Sequence, residues 1–204
     1  MPQLVEPVVP PGRLSAIPQP HLGVDELVLR PWLACDAPAV VAAYRDPQIQ
    51  RWHLRSMSDE EAVSWVLSWP DRWAAETGAG WAIEVDGSVA GRMGCGLNLA
   101  EGRAEAAYWV VPRLRGRDVA PRALRAMTEW LFADLGFHRV ELEHSTVNEA
   151  SCRVAIKAGF PAEGLSRSSA RHADGWHDMH RHGRVDDAST GRAGRHVLPD
   201  PVST

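Results

Sequence analysis

Alternating apolar and polar positions predict short β-strands along the chain. Residues 27–30 alternate and are followed by a proline, which ends a strand because it has no N–H to donate. Residues 81–85 and 88–91 flank Asp86-Gly87, a dipeptide typical of the tight turn of a β-hairpin. The remaining strand patterns lie at residues 104–111, 139–144, 160–169 and 176–182.

Apolar residues at helical spacing predict about four helices. One begins at Ser58, because a serine followed three residues later by a glutamate forms a capping box. This helix contains Pro70, which is expected to kink it or split it in two. The other helices are expected near residues 36–44, 117–135 and 148–158.

The helix after Ser58 carries one stripe of aromatic residues, Trp65, Trp69 and Trp73. The spacing i, i+4 and i+8 puts the three rings on one face. Packing in the core is the expected role. The alternative is that part of the stripe forms the wall of an apolar acceptor pocket.

The order of these elements indicates the α/β (α+β) class. Hairpins combined with a β-α-β-α segment imply a mixed sheet with helices on its faces. Residues 23–184 are expected to form this domain. The proline-rich residues 1–22 are expected to be an extended or disordered arm, and residues 185–204 a polar tail.

Size, charge and cysteine usage exclude several classes of protein. A chain of 204 residues suits one domain with a full-sized core. Its formal net charge of -4 provides no basic field for nucleic acid or an anionic membrane, and neither partner is expected. The widely spaced Cys35, Cys95 and Cys152 fit a reducing compartment. With no signal-peptide pattern and no membrane-spanning run, a cytoplasmic location is expected.

Residues 112–121 join a strand to a helix through a short loop rich in arginine and glycine. The first N–H groups of a helix lack intrahelical partners, and the helix dipole adds partial positive charge there. A glycine at 116 lets the backbone approach a ligand, and the arginines offer charged donors. This arrangement predicts an anion site of the kind that holds phosphate.

Three stretches carry motifs at a specific spacing. Residues 113–120 are similar to an [R/Q]-x-x-G-x-[G/A] loop, and residues 104–109 resemble an A-E-x-G-Y-W strand. Residues 148–151 and 157–160 match N-x-x-S followed by K-x-G-F. Each pattern is weak alone, whereas all three in this order are specific. From about residue 27 to 182 the chain resembles the GCN5-related N-acetyltransferase (GNAT) superfamily, especially the branch that acetylates N-terminal amines of ribosomal proteins.

The resemblance implies a mostly antiparallel seven-stranded sheet flanked by about four helices, in which two parallel strands splay apart. These strands would be residues 104–111 and 139–144, and the pantetheine arm of acetyl-CoA would enter the gap. A backbone N–H on the first strand would polarise the thioester carbonyl. The residues assigned to the cofactor are Trp109, Val110, Val111, Arg113, Arg115, Gly116, Arg117, Asp118, Val119, Ala120, Asn148 and Ser151.

Acetyl transfer to an amine needs a base, because a protonated amine cannot attack a thioester. The resemblance implies that Glu105 is this base, acting directly or through water. The alternative is that Glu105 is an exposed strand carboxylate. Glu143 and His144, on the neighbouring strand, are lesser candidates.

The departing thiolate needs a proton donor. The resemblance places Ser151 near the thioester sulfur, although a serine at this position also suits a helix cap. Asn148 is implied to contact the pantetheine arm. Tyr108 is a reserve proton donor that could equally be a packing residue.

Two further features receive structural interpretations. His177, His180 and His182 lie close to Asp178, but alternation along a strand divides the histidines between two faces, so no metal is expected. Cys152 could form a covalent acyl intermediate, but the resemblance favours direct transfer from coenzyme A.

Asp118 departs from the loop of the resembled family, which normally has glycine at this position. An aspartate adopts a positive φ only at some cost. Its carboxylate could also cap the following helix and occupy donors that a pyrophosphate would use. Like charges would then repel the cofactor.

The sequence therefore predicts an acetyl-CoA-dependent N-acetyltransferase that acts on a primary amine: a protein N-terminus, a lysine or a small molecule. The alternative is a non-catalytic GNAT-fold protein that binds acyl-CoA or a partner without turnover. The acceptor site would be shaped by the early helices, by residues 51–55 and by the last hairpin. Assembly as a homodimer is left open.

Overall fold

The computed structural model describes residues 4–187, and its strands form one eight-stranded sheet. The strands are β1 (Leu22–Val24), β2 (Leu27–Pro31), β3 (Gly78–Val85), β4 (Ser88–Asn98), β5 (Arg103–Val110), β6 (Arg139–Ser145), β7 (Ala162–His172) and β8 (Gly175–Val185). The helices are α1 (Ala37–Ala43), α2 (Pro47–His53), α3 (Asp59–Ala74), α4 (Val119–Ala133) and α5 (Glu149–Lys157). Among these residues no helix is both long and apolar enough to cross a membrane.

The sheet is mixed and mostly antiparallel, in the order β1-β2-β3-β4-β5-β6-β8-β7. Only β5 and β6 pair in parallel within this part of the chain. The predicted fold class is confirmed, with one more strand and one more helix than expected. The added strand, β1, pairs with β2 next to the N-terminal arm, and the added helix, α2, is capped by Asp46.

Part of the N-terminal arm, which was expected to be extended or disordered, packs on the sheet. Val9 and Leu14 are fully buried in the core. The carboxylate of Glu76 accepts three backbone N–H groups from the arm, and the indole N–H groups of Trp73 and Trp81 donate to arm carbonyls. The N–H groups of Val8 and Val9 also donate to the carbonyls of Ala100 and Leu99, so backbone and side-chain hydrogen bonds together hold the arm. The predicted tail falls mainly on residues 188–204, outside the described residues.

Helix α3 runs without interruption through Pro70, so the predicted split is wrong. Trp69 and Trp73 are buried and hold the last turns of the helix against the sheet. Trp69 fits tightly, because a Cβ at Gly80 would come within 2.5 Å of its ring. None of the three tryptophans of the stripe lines the cleft described below, and core packing is their role.

The parallel pair β5 and β6 separates after a short stretch of pairing. Residues 103–105 pair with 139–141, although β5 continues to Val110 and β6 to Ser145. Beyond Glu105 the two strands therefore leave a gap in the middle of the sheet. Helices α4 and α5 follow directly after β5 and β6, so both helices begin beside this gap.

Candidate active site

A cleft of about 630 Å³ opens where β5 and β6 part. Its walls come from β5, the loop after it, β6 and α5. Helix α2 and residues of the β7–β8 hairpin close one end. The predicted site residues that line it are Glu105, Tyr108, Trp109, Val110, Arg115, Gly116, Asp118, Val119, Ala120, Asn148 and Ser151.

The backbone of β5 presents only every second residue to the gap. The N–H of Val111 donates to the carbonyl of Ala90 over 2.9 Å, and Trp109 is likewise paired in register with Arg92 on β4. Because strand amides alternate in direction, the N–H of Val110 is directed toward the gap. The backbone of Trp109, Val110 and Val111 was expected to pair with the pantetheine arm. Of these three residues, only Val110 directs its N–H toward the gap.

The loop after β5 combines an open backbone with the start of α4. Gly116 has φ +77°, and a Cβ there would meet no atom within 4 Å, so this stretch is accessible to a ligand. Val119 and Ala120 form the first turn of α4, where backbone N–H groups lack intrahelical partners. The loop therefore offers backbone donors to an anion.

The arginines of the loop are placed differently from the expectation. Arg115 donates to the carboxylate of Asp46 over 2.6 Å and to the carbonyl of Val110 over 3.1 Å, which ties the loop to α2 and β5. Arg113 reaches the carbonyl of Val89 over 3.4 Å. Neither Arg113 nor Arg117 lines the cleft. An anion at this end would contact backbone N–H groups more than guanidinium groups.

Asp118 adopts the left-handed conformation, with φ +53°, as expected for a position usually occupied by glycine. Its carboxylate does not cap α4, so the predicted capping is wrong. Instead it accepts a hydrogen bond from the ammonium group of Lys157 over 2.6 Å. Lys157, at the end of α5, balances the charge of Asp118. Lys157 was identified from the sequence as a motif residue, but its pairing with Asp118 was not predicted.

Two hydroxyl groups meet at the start of α5. The Tyr108 hydroxyl donates to Ser151 Oγ over 3.2 Å, and burial raises the pKa of Tyr108 to about 12, which keeps it protonated. Asn148 caps α5, because its Oδ1 accepts the N–H of Ser151. Ser151 is therefore not the cap that the sequence allowed. Because Ser151 Oγ accepts the hydrogen bond from Tyr108, the hydrogen of the Ser151 hydroxyl points away from Tyr108.

The three candidate bases differ in their partners. Glu105 is exposed on β5, lines the cleft and has no salt bridge among the described residues. Glu143 pairs with Arg181 over 2.8 Å. His144 is buried, and burial together with neighbouring His182 and His180 lowers its pKa. The geometry favours Glu105.

His53 was missed as an individual residue, although the sequence placed residues 51–55 near the acceptor. It donates from Nε2 to the carbonyl of Tyr108 over 3.2 Å and lines the cleft. Burial, assisted by Arg92 and Arg55, lowers the pKa of His53 to about 4. The ring is therefore neutral near pH 7.

Helix α2 and the last hairpin meet across the far end of the cleft. The Trp52 and His172 rings pack edge to face at 5.7 Å, and Arg51 pairs with Asp174 over 3.3 Å. These contacts join two segments that the sequence assigned separately to the acceptor site. The rings of Trp52 and His172 line this end of the cleft.

Residues 26–161 match the family model described as an acetyltransferase (GNAT) domain. A Bacillus subtilis (strain 168) protein named uncharacterized N-acetyltransferase YoaA is 30% identical over 153 residues, covering 72% of this chain and 86% of YoaA. RimL, a ribosomal L7/L12 alpha-N-protein acetyltransferase solved with coenzyme A, has a TM-score of 0.77 at 19% identity, over 83% of this chain and 99% of RimL. Mycobacterium smegmatis RimJ, solved with a CoA-disulfide, has a TM-score of 0.72 at 23% identity, over 83% of this chain and 87% of RimJ.

Proposed function

The chain belongs to the GNAT acetyltransferase family, and we propose that it moves an acetyl group from acetyl-CoA directly to a primary amine. The observation that carries this proposal is the pair of hydroxyl groups, Tyr108 and Ser151, beside a strand gap that presents the Val110 N–H. Together these groups provide a proton donor and an oxyanion donor at one place.

The residues around the gap fit acetyl-CoA, which supplies an activated acyl group on a thioester. The open backbone at Gly116 and the first turn of α4 suit a pyrophosphate. The stretches of β5 and β6 that do not pair with each other suit an extended amide-containing arm, because β5 directs the Val110 N–H into the gap. Lys157 offsets the charge of Asp118 at the phosphate end, so the carboxylate does not exclude the ligand.

The chemical roles follow from the directions of these groups. The N–H of Val110 stabilises negative charge that builds on the carbonyl oxygen during attack. The Ser151 hydroxyl gives its proton to the departing sulfur, and Tyr108 restores that proton through their hydrogen bond. In this relay Ser151 touches the reacting atoms and Tyr108 supports it.

The base and the acid lie on opposite faces of β5. Glu105 and Trp109 share one face by alternation, and Trp109 packs in the cluster formed with α1 and α3. Tyr108 points to the other face, toward α5. Glu105 can accept the amine proton on the acceptor side while Ser151 protonates sulfur on the cofactor side, which keeps the two proton transfers apart.

Three acceptor classes fit the end of the cleft lined by Trp52 and His172: a peptide N-terminus, a lysine side chain and a small-molecule amine. Calorimetry with coenzyme A measures cofactor binding. A thiol-release assay with acetyl-CoA and a panel of the three acceptor classes then measures transfer. We expect binding and, with one class, thiol release that Glu105→Gln slows.

Two results would count against this function. Failure to bind coenzyme A at millimolar concentration would remove the enzyme hypothesis altogether. Binding without thiol release across all three classes would favour a non-catalytic acyl-CoA-binding protein, the alternative raised by the sequence.

A further inference from the structure

Four side chains with metal-binding atoms converge beneath the cleft. One ligand atom from each of His144, Cys152, His180 and His182 lies within 4.8 Å of the others. They come from three elements: β6, α5 and β8. Bonds of about 2.0–2.3 Å place tetrahedral ligands roughly 3.3–3.8 Å apart. A bound metal ion would therefore draw the most widely separated of these ligand atoms closer together.

The sheet register explains how the histidines come together. His144 on β6 is the direct partner of His180 on β8. His182 lies two residues further along β8, and therefore on the same face. His177 points to the other face, where it contacts the Ser145 hydroxyl and Asp174. Alternation thus separates His177, as the sequence indicated, but leaves the other two histidines beside His144.

Hydrogen bonds fix which ring nitrogens face the cluster. His144 Nδ1 lies 2.8 Å from the Ser145 carbonyl, and His182 Nδ1 lies 3.0 Å from the Phe160 carbonyl. A carbonyl oxygen only accepts, so both Nδ1 atoms carry hydrogen and both Nε2 atoms of the neutral rings carry lone pairs. Ligating histidines in metalloproteins are held by the same Nδ1-to-carbonyl arrangement.

These lone pairs face each other without a compensating group. The two Nε2 atoms are 3.1 Å apart, and the side chains of His144 and His182 are 4% and 1% exposed. The Nδ1 of His180 is also buried with no hydrogen-bond partner among the described residues. Buried polar atoms normally have hydrogen-bond partners. A proton or a cation between the rings would provide the partner that these imidazole nitrogens lack.

We propose that His144, Cys152, His180 and His182 bind one zinc-class divalent cation. Three imidazole nitrogens and one sulfur form a set that suits tetrahedral zinc. Cys152 binds as the thiolate, and its proton passes to solvent when the metal enters. Four protein ligands leave no open position, so the ion acts as a clamp.

The clamp would join α5 to β6 and β8. Cys152 follows Ser151 directly, and the same helix is capped by Asn148. Metal binding therefore fixes the position of the Ser151 hydroxyl relative to the gap. This role adds to acetyl transfer, and the binding test below does not depend on that activity.

Metal binding is tested on the untagged full chain after treatment with a chelator. We expect zinc(II) to bind at about one ion per chain and to raise the unfolding temperature. Cobalt(II) should give the absorption of a tetrahedral site together with a thiolate-to-cobalt charge-transfer band. Cys152→Ser should lose the charge-transfer band, and His182→Ala should lose both the tetrahedral spectrum and the zinc-dependent thermal shift.

His177→Ala is the matched control, a histidine of the same strand on the other face, and it should bind like the unaltered protein. Absence of zinc binding in the unaltered chain would overturn the proposal and favour a proton shared between His144 and His182. A tetrahedral cobalt spectrum without the thiolate band would remove Cys152 from the site. This last result requires no variant, so it stands even if Cys152→Ser fails to fold.

Discussion

The loop end of the cleft is open and carries an exposed ion pair, whereas two side chains at the strand gap are half-buried and neutral. Around Gly116 the backbone is accessible, and the Asp118–Lys157 pair is about half exposed on both sides. At the gap, Tyr108 and His53 are half-buried and have pKa values of about 12 and about 4, which keep both side chains uncharged near pH 7.

We infer from this difference that the loop end mainly sets the affinity for coenzyme A and that the strand gap mainly sets the rate of acetyl transfer. Charges at the loop end are screened by water, so each contributes little and can be exchanged at small cost. Hydrogen bonds at the gap form in a low dielectric, where each has a larger effect. We expect substitutions at the gap to change turnover strongly and substitutions at the loop to change affinity weakly.

The largest effect is expected from Ser151→Ala. Loss of the proton donor should lower kcat on the order of 100-fold, because general acid catalysis contributes at this scale. The dissociation constant for acetyl-CoA should stay within about twofold, since binding rests on the loop. Steady-state kinetics and calorimetry measure the two quantities.

Tyr108→Phe tests the same relay, and we expect a smaller fall in kcat because Ser151 keeps its own proton. Ser64→Ala, at an exposed serine of α3, is the control and should leave kcat unchanged. If Ser151→Ala weakens acetyl-CoA binding and leaves kcat intact, the separation of binding from chemistry is wrong.

An intermediate effect concerns stability in acid. The pKa of His53 is lowered to about 4 by burial and by Arg92 and Arg55. Between pH 6.5 and 4, His53 is therefore protonated in the unfolded chain and neutral in the folded chain. The free energy of unfolding should therefore fall as pH drops from about 6.5 toward 4, by at most about 1.4 kcal/mol per pH unit from this residue.

Denaturant unfolding of His53→Gln across this pH range measures the contribution. The glutamine keeps a donor for the Tyr108 carbonyl and should flatten the acid dependence. His21→Gln, at an exposed histidine, should retain it. An identical pH slope in His53→Gln and the unaltered chain would show that the gap end does not resist protonation as described.

The smallest effect is expected from Asp118→Gly. Glycine suits the positive φ, and removal of the carboxylate frees Lys157 beside the phosphate site. We expect coenzyme A to bind about two- to fivefold tighter, the scale of an exposed charge pair. Calorimetry measures the change.

Asp86→Gly is matched in backbone, because Asp86 also has a positive φ and lies in the β3–β4 turn away from the cleft. It should relieve strain without altering coenzyme A affinity. Weaker binding in Asp118→Gly would mean that the Asp118–Lys157 pair shapes the loop.

Features formed by residues close together in the chain were predictable from the sequence. The loop around Gly116 follows from local backbone chemistry, whereas the positive φ of Asp118 and the strand gap follow from the resemblance to the GNAT family. The pairing of Tyr108 with Ser151 joins two of these motifs across 43 positions. Each residue was named as a candidate, but only the docking of α5 shows that they touch.

Features assembled from distant segments were not predictable. The partner of Asp118 lies 39 positions away, and the histidine cluster depends on the register between β6 and β8. The packing of the N-terminal arm was not predicted. Its N–H groups donate to the carboxylate of Glu76, which lies far away in the sequence, and the prolines of the arm do not indicate this contact. The periodicity of apolar residues indicates local secondary structure, whereas these contacts depend on how helices and strands pack against one another.

The position of β8 between β6 and β7 has a consequence for the size of the folding unit. The family match ends at Pro161, before either strand of the last hairpin begins. A fragment cut at that boundary would leave β6 as a bare sheet edge, exposing backbone groups that pair with neighbouring molecules. We expect such a fragment to aggregate, because the segment matched by the family model is shorter than the segment that must fold together.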